Sequence, residues 1–360
     1  MTTRTLAAAL AALSFLIPAL SAVPAQAQQT ERFTLSGTRV EIFDVVGRAT
    51  LHRGAGDAVV IQATRVGSDA GQLRFETDRE GRGGSDRFRV VYPLDRLDDG
   101  IQWGEIGGRN SLNLRADGTF GGGEEGLLRR GDRIEISSGG GFRASADLDI
   151  GVPEGRTVIL HLAVGSVALD GTSGDFTIDT WGADVRAERI AGEYLFDTGS
   201  GDVVVQGATG SIRIDTGSGS GTVSGVRGTL LDIDTGSGYA DATDVQVERI
   251  RFDTGSGDVR ARGIQAGRGG ADTGSGDVDL DFSGGAVDDW LIDTGSGHAR
   301  VTLPPQAGVR ISIDTGSGDI DVTRQNAIME RRGHDAMILR VGDGRGRLRI
   351  DTGSGDVTIR

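Results

Sequence analysis

The residues with the most chemical promise in this sequence are aspartates set in the tripeptide Asp-Thr-Gly. With hydrophobic residues before it and Ser or Thr after it, that tripeptide forms the catalytic loop of aspartic peptidases, and Ile233-Asp-Thr-Gly-Ser and Ile313-Asp-Thr-Gly-Ser match it locally. The mechanism needs two carboxylates close enough to share one proton. Here the pentapeptide DTGSG begins at Asp197, Asp215, Asp234, Asp253, Asp272, Asp293, Asp314 and Asp351, and a degenerate copy, Asp179-Thr-Trp-Gly-Ala-Asp184, precedes them. Near-identical copies at even spacing place aspartates in a row. They offer no distinctive pair, and nothing in the chain resembles a bilobal peptidase body.

A second chemistry for the same residues is calcium binding. Gly-x-Gly-Asp resembles part of the nonapeptide Gly-Gly-x-Gly-x-Asp-x-Φ-x of calcium-binding β-rolls, and two nonapeptides equal the shortest step between copies. The doubled glycine and the spacing to Asp differ, and the second half of a repeat, such as Gln206-Gly-Ala-Thr-Gly210, lacks the acid. Calcium along the aspartate row stays open as an alternative, and no other cofactor is expected. The third reading is structural. Asp-Thr ends one strand, Gly-Ser-Gly reverses the chain with glycine supplying φ > 0, and the second Asp opens the next strand with an Asx-type bond to its own turn. Its difficulty is charge: unit charges about 4.8 Å apart repel by roughly 0.9 kcal/mol in water. Arg213, Arg260 and Arg300, hydrogen bonds or a cation must relieve it.

Other motifs carry less. Arg130-Gly-Asp132 spells the integrin tripeptide but equally suits a plain turn. His52, His161, His298 and His334 are scattered without a His-x-x-x-His pair, which argues against zinc. No Gly-x-Ser-x-Gly elbow occurs. Trp103, Trp181 and Trp290 are too dispersed for a sugar-stacking platform and read as packing residues. The chain has no cysteine, so disulfides, thiolate metal sites, cysteine nucleophiles and an N-terminal lipidated Cys are excluded. It also has no lysine, since all 38 basic residues are arginine, so a Walker-type phosphate loop and Schiff-base chemistry are excluded too. No catalytic, cofactor-binding or metal-ligating residue is assigned, and the expectation is a protein that is not an enzyme.

The elements that position these residues follow from the repeat. Successive Asp-Thr starts are separated by steps of 18, 18, 19, 19, 19, 21, 21 and 37 along the chain, and a period of this size marks a repeat architecture. Each unit reads Φ-x-Φ-Asp-Thr-Gly-Ser-Gly-Asp-Val-x-Φ-x-Gly-x-x-Gly, with two period-2 strands joined by two glycine turns. Two all-β architectures fit. A β-solenoid, parallel β-helix-like, stacks rungs of about 18 to 21 residues roughly 4.8 Å apart. An antiparallel meander of hairpins uses the same turns to reverse the chain within one sheet. The constant register within the repeat favours the solenoid, because stacked Ile, Val and Thr then form a continuous core.

Around the repeat the chain divides into three parts. Residues 1–27 read as a secretory signal peptide: Arg4 is the basic flank, Leu6 to Leu20 the apolar run, and Ala25-Gln-Ala27 the cleavage site. The run is too short to span a bilayer and no other follows, so no transmembrane segment is expected after cleavage. Residues 28–133 form a β-rich region, with short strands at Phe33–Leu35, Val40–Ile42, Ala49–Leu51, Val59–Ile61, Leu73–Phe75 and Phe88–Tyr92. Within it, residues 93–133 turn charged and glycine-rich, which predicts a long, mobile or disordered loop. Residues 134–360 are the repeat domain. Its last step contains the insertion Gln325 to Met337 and a degenerate turn at Val341-Gly-Asp-Gly-Arg-Gly346, which reads as one irregular rung plus an insertion. Val357-Thr-Ile-Arg360 would then be an exposed final strand, uncapped unless the insertion covers it.

Net charge is −14, which disfavours nucleic acid and anionic lipid as partners and permits cation binding. Glycine totals 61 residues, but it is ordered by the repeat and alternates with Val/Ile/Leu segments, which argues against disorder of the array.

The start Asp147-x-x-Ile-x-Val-Pro-Glu-Gly155 followed by repeated Φ-x-Thr-Gly-Ser-Gly-Asp-Φ-x-Φ resembles a bacterial β-strand-repeat family termed "putative adhesin", the domain of unknown function 4097. The likeness covers about residues 140–360. It implies an exported β-repeat protein of the cell envelope, periplasmic, cell-surface or extracellular. It further implies a scaffold or adhesin that binds an envelope or cell-surface component, and it brings no catalytic residues. The charged stretch from Pro93 to Arg133 departs from the family's compact pattern.

Overall fold

The structure is a computed structural model that describes residues 30–79, 85–104, 108–121, 131–333 and 335–360. The signal-peptide reading lies outside the described residues. Among them there is no α-helix, only two 3-10 turns, and the strands join into one 24-stranded sheet plus a separate 3-stranded one.

The alternation read from the sequence becomes a parallel β-solenoid-like stack. In one rung, Ala191–Thr198 and Val203–Gln206 are the two strands, and both pair in parallel with their copies in the next repeat, Ile212 over Tyr194 and Ile214 over Phe196. Period-2 patterning drives this: Ile212 and Ile214 are buried while Arg213 and Asp215 face out. Stacked on Leu231 and Ile233, and then on Ile250 and Phe252, they build the first wall of a continuous core. Val203 and Val205, stacked beside Val185 and Ala187, belong to the opposite wall. Each such side chain contributes about 1.5–3 kcal/mol by burial, which no rung could collect alone.

The array reaches further toward the N-terminus than the DTGSG copies. Arg39–Arg53, Arg156–Asp170 and Ser173–Glu188 are successive parallel rungs, each crossing the corner as one strand. Val40–Ile42 and Ala49–Leu51, expected as separate strands, are therefore two halves of a single rung. Outside Arg39–Arg53 lies a rung assembled from two distant pieces, Asp86–Val91 and Ser145–Val152. Antiparallel strands close this end, Arg74–Arg79 on the first piece and Val59–Val66 on the second, with Thr30–Leu35 outermost.

Part of the segment expected to be a loop is strand. Ile101–Gln102, Arg109–Leu114 and Asp132–Ser137 form the small second sheet, and Ile101, Leu112, Leu114 and Phe120 are buried. Its glycine and charge content masked four apolar anchors spread too thinly to register as strands.

The C-terminal end corrects the linear reading. The rung Gly346–Thr352 and Val357–Ile359 is not terminal. It inserts between the rung Asp289–Thr294 and Ala299–Thr302 and the rung Val309–Thr315 and Ile320–Val322. The end rung is therefore 309–322, and the hairpin Ala327–Arg332 with Ala336–Val341 caps its first strand in antiparallel fashion. Residues 342–345 are no degenerate rung turn. They carry the chain across the end of Val309–Thr315, because the strands before and after them lie on its two sides. Among the described residues the other half, Ile320–Val322, pairs on one side only, and Ile320 and Val322 are part-exposed where their counterparts Val357 and Ile359 are fully buried.

Candidate interaction surface

Three side-chain columns run through the hexapeptide, and each has a different environment. The first is threonine. Thr180, Thr198, Thr216, Thr235, Thr254, Thr273, Thr294, Thr315 and Thr352 are all buried. Their hydroxyls close the turns: Thr198 Oγ1 donates to Gly201 O at 2.8 Å, Thr294 to Gly297 O at 2.7 Å and Thr352 to Gly355 O at 2.7 Å. Others link rungs, as Thr235 Oγ1 donates to Gly219 O of the preceding rung at 2.8 Å while accepting Gly238 N–H at 3.0 Å.

The glycines between them serve close approach rather than left-handed backbone. None of the Gly-Ser-Gly glycines has a φ in the left-handed region, contrary to the turn expected from the sequence. A Cβ on Gly257 would instead fall 1.7 Å from Gly238 O, and one on Gly219 would fall 2.1 Å from Gly201 O. The left-handed glycines lie at the other corner, Gly207 with φ 70° and Gly225 with φ 66°.

The second column is the last Asp of the hexapeptide. Its carboxylate does not bond its own turn but the next rung: Asp184 Oδ1 accepts Asp202 N–H at 3.0 Å, Asp202 Oδ1 accepts Ser220 N–H at 2.8 Å, and Asp258 Oδ1 accepts Asp277 N–H at 2.9 Å. His298 stands in this column and behaves as an Asp would, with Nδ1 accepting Asp356 N–H at 2.9 Å, and Asp356 Oδ1 accepts Asp319 N–H at 2.8 Å. This ladder independently places 356 between 298 and 319.

The third column, the first Asp, is half-buried to exposed and, unlike the second, bonds no backbone N–H of the next rung among the described residues. Asp179, Asp197, Asp215, Asp234, Asp253, Asp272, Asp293, Asp351 and Asp314 follow one another in register, one per rung. Partial burial, then Asp179 and Asp215, raise the pKa of Asp197; partial burial, then Asp234 and Asp232, raise that of Asp215. Asp272 is raised likewise by burial and by Asp253 and Asp293, against the pull of Arg251. Relief comes from other arginines than those expected. Arg251 spans Asp234 at 3.4 Å, Asp232 at 3.5 Å and Asp253 at 2.5 Å, and Arg349 holds Asp351 at 2.7 Å. Arg260 and Arg300 pair instead with Asp258 and Asp279 on the other wall, and Arg213, beside Asp232 in register, makes no ion pair among the described residues.

The column begins with a residue that spacing alone could have flagged. His161 sits one short repeat before Asp179 and directly over it in register. Its ring stacks on Phe43 at 4.4 Å, meets Phe120 edge-on, and places Nδ1 2.8 Å from Asp179 Oδ2 and Nε2 3.5 Å from Glu41 Oε1. Burial disfavours its charge, but the bonds to Asp179 and Glu41 outweigh that and raise its pKa. Burial also opposes the charge of Glu41, yet His161 and Arg87 bring its pKa down to about 2. Glu41 lies too far along the chain for any spacing argument to have paired it with His161.

Asp44 stands in the threonine column's place, aligned through Leu162 to Thr180. It is fully buried, takes Tyr92 O–H at 3.3 Å, and is raised well above the usual carboxylate range, chiefly by desolvation.

The remaining sequence candidates do not converge. His52 is half-buried and meets Asp149 at 3.1 Å. His334 and Arg130 of the Arg-Gly-Asp tripeptide lie outside the described residues, while Asp132 opens a strand. Trp290 belongs to the core, and Trp103 and Trp181 pack against that core part-buried. Among the described residues no group of three His, Cys, Asp or Glu is placed to hold a metal, and no helix is long and apolar enough to cross a membrane.

Comparison with known proteins accords with this geometry. The family model "Toastrack DUF4097" matches residues 141–360, more than half of the chain. The chain belongs to the Toastrack DUF4097 family. The stacked, in-register rungs are thus those of a Toastrack domain, and the rung Arg39–Arg53 extends the same stack outside the matched residues. No curated protein matches this Toastrack chain. A solved structure described as "a putative cell adhesion protein from Clostridium sporogenes ATCC 15579" aligns over 92% of this chain and 98% of its own, with 11% identity and a TM-score of 0.21.

Proposed function

We propose that this Toastrack protein is an exported, non-catalytic interaction module of the cell envelope, adhesin-like in that a stiff array presents repeated side chains to a partner. One observation carries the reading: of the hexapeptide's polar groups, the threonine and the second Asp are committed to stacking, and the first Asp is left to recur along the surface. The threonine hydroxyls and second aspartates bond neighbouring turns and rungs, and the first aspartates stand in single file without a distinctive pair. Affinity from such a surface builds by multivalency rather than through one deep pocket. The test is retention of envelope or cell-surface components by the secreted protein immobilised on beads, with fractionation to confirm export. A pepstatin-sensitive peptide cleavage at acid pH, lost in Asp215→Asn or Asp234→Asn, would overturn it.

A second reading has its own support. Among the described residues Asp197, Asp215 and Asp272 stand in register with other aspartates and have no ion-pair partner, a repulsion that calcium would relieve. It requires a melting temperature that rises in millimolar calcium and falls with chelator.

A further inference from the structure

The outward face of the first wall is interrupted at one rung. Arg249-Ile250-Arg251, Arg268-Gly269-Gly270 and Asp289-Trp290-Leu291 lie in register on successive rungs, so two glycines replace an inward and an outward side chain. From inside, Trp290 fills the place of Gly269: a Cβ there would lie 2.5 Å from the indole, which is fixed by its bond to Ala266 O at 3.1 Å and by Phe282 at 4.8 Å. From outside, nothing replaces Gly270. The result is an open groove of about 420 Å³, walled by Arg251 on one side and by Leu291, 47% exposed, on the other.

The two ends of the groove differ in charge. At one end Arg249 and Arg268 are exposed neighbours, and among the described residues neither guanidinium has a hydrogen bond or ion pair; Asp289, beside Arg268 in register on the next rung, is held by Arg347 at 3.6 Å. At the other end Asp272 and Asp293 are exposed members of the aspartate column, with no ion-pair contact among the described residues. Four residue steps, from Arg268 to Asp272, separate the ends, about 13 Å at 3.3 Å per residue. On a chain of net charge −14, two adjacent unpaired arginines stand out.

We propose that this groove binds a short extended peptide of dipolar character. Its carboxylate end lies on Arg249 and Arg268, its ammonium end on Asp272 and Asp293, and an apolar side chain seats over Gly270 against Leu291. An extended chain advances about 3.3–3.6 Å per residue, so about four residues match the span. An acidic saccharide would satisfy the arginines but leave two carboxylates facing hydroxyls only, whereas a dipolar peptide meets both poles. The inference names a partner class for the interaction module and rests on that reading.

The test is titration of the full secreted protein, followed by NMR or calorimetry, with the tetrapeptide Ala-Leu-Leu-Ala in free and in acetylated, amidated form, and with digalacturonate. The expected result is saturable binding of the free peptide, weakened at least tenfold by blocking its termini, by the double change Arg249→Ala/Arg268→Ala, or by Gly270→Leu. A Cβ on Gly270 would meet only Leu291 O, at an ordinary 3.5 Å, so that last variant fills the groove without disturbing the rung; unchanged melting temperatures verify folding. Equal binding of the blocked peptide, unaltered binding by the variants, tighter binding of digalacturonate, or no binding at all would each overturn the assignment. Retention of envelope components, measured separately, decides the module reading whatever the peptide does.

Discussion

Replacing Thr235 by Val keeps the shape of a buried β-branched side chain and removes only its hydroxyl. That hydroxyl donates to Gly219 O at 2.8 Å and accepts Gly238 N–H at 3.0 Å, so the change strands one backbone group on each of two rungs. Gly219 is buried and Gly238 half-buried. Leaving a buried polar group unpaired costs about 1–3 kcal/mol, and a half-exposed one less, since water reaches it. The expected loss is about 2–4 kcal/mol, large against the usual effect of a single substitution. Thr198→Val should cost less. Its acceptor, Gly201 O, is also reached by Thr216 Oγ1 at 3.4 Å and so keeps a partner. Urea unfolding followed by fluorescence of buried Trp290, with hydrogen exchange at Gly238 as a local reading, measures both. Thr235→Ser is the control that retains the hydroxyl. A Thr235→Val protein as stable as the parent to about 0.5 kcal/mol, the scatter of uninvolved surface changes, would refute the account of the threonine column. So would a Ser variant as unstable as the Val variant.

Four further outcomes follow from the same structure. Gly257→Ala drives a Cβ to 1.7 Å from a backbone oxygen and should cost more than about 4 kcal/mol, whereas Gly284→Ala, which meets nothing within 4 Å, should be near neutral; thermal melts of the two separate them. His161 has a raised folded pKa, so its contribution is complete below its ordinary value of 6.5 and is lost as pH rises through the folded value; a pH series of melting temperatures should show an alkaline decline that His161→Asn flattens. Glu41 works in the opposite sense, contributing above its ordinary 4.5 and losing that as pH falls toward about 2. Truncation before Gly346 removes an interior rung, so amides of both Asp289–Thr294 and Val309–Thr315 should lose exchange protection; loss confined to residues beside the cut would contradict the inserted order.

Much of this protein is legible in its sequence because its information is local and repeated. The alternation Ile212-Arg213-Ile214-Asp215 states which side chains face inward, and the near-constant period of the DTGSG copies states that rungs stack in register. Those two facts favour the solenoid over the meander and set the first aspartates in a row. Tertiary structure alone decided which rung lies beside which at the two ends. Backbone pairing is equally available to any two copies of a repeat, so nothing in DTGSGD tells residues 346–359 to enter between 289–302 and 309–322 rather than follow them. It also decided the partners of each polar group. The second Asp has the same residues around it whether it bonds its own turn or the next rung, and the choice rests on a rung spacing close enough to bring Asp277 N–H to Asp258. The same closeness explains the glycines, which chain conformation alone would have assigned to left-handed turns. Finally, the meeting of Glu41 with His161, and the groove left at Gly270, arise between segments whose separation in the chain carries no signal, because contact there is made by stacking and not by sequence.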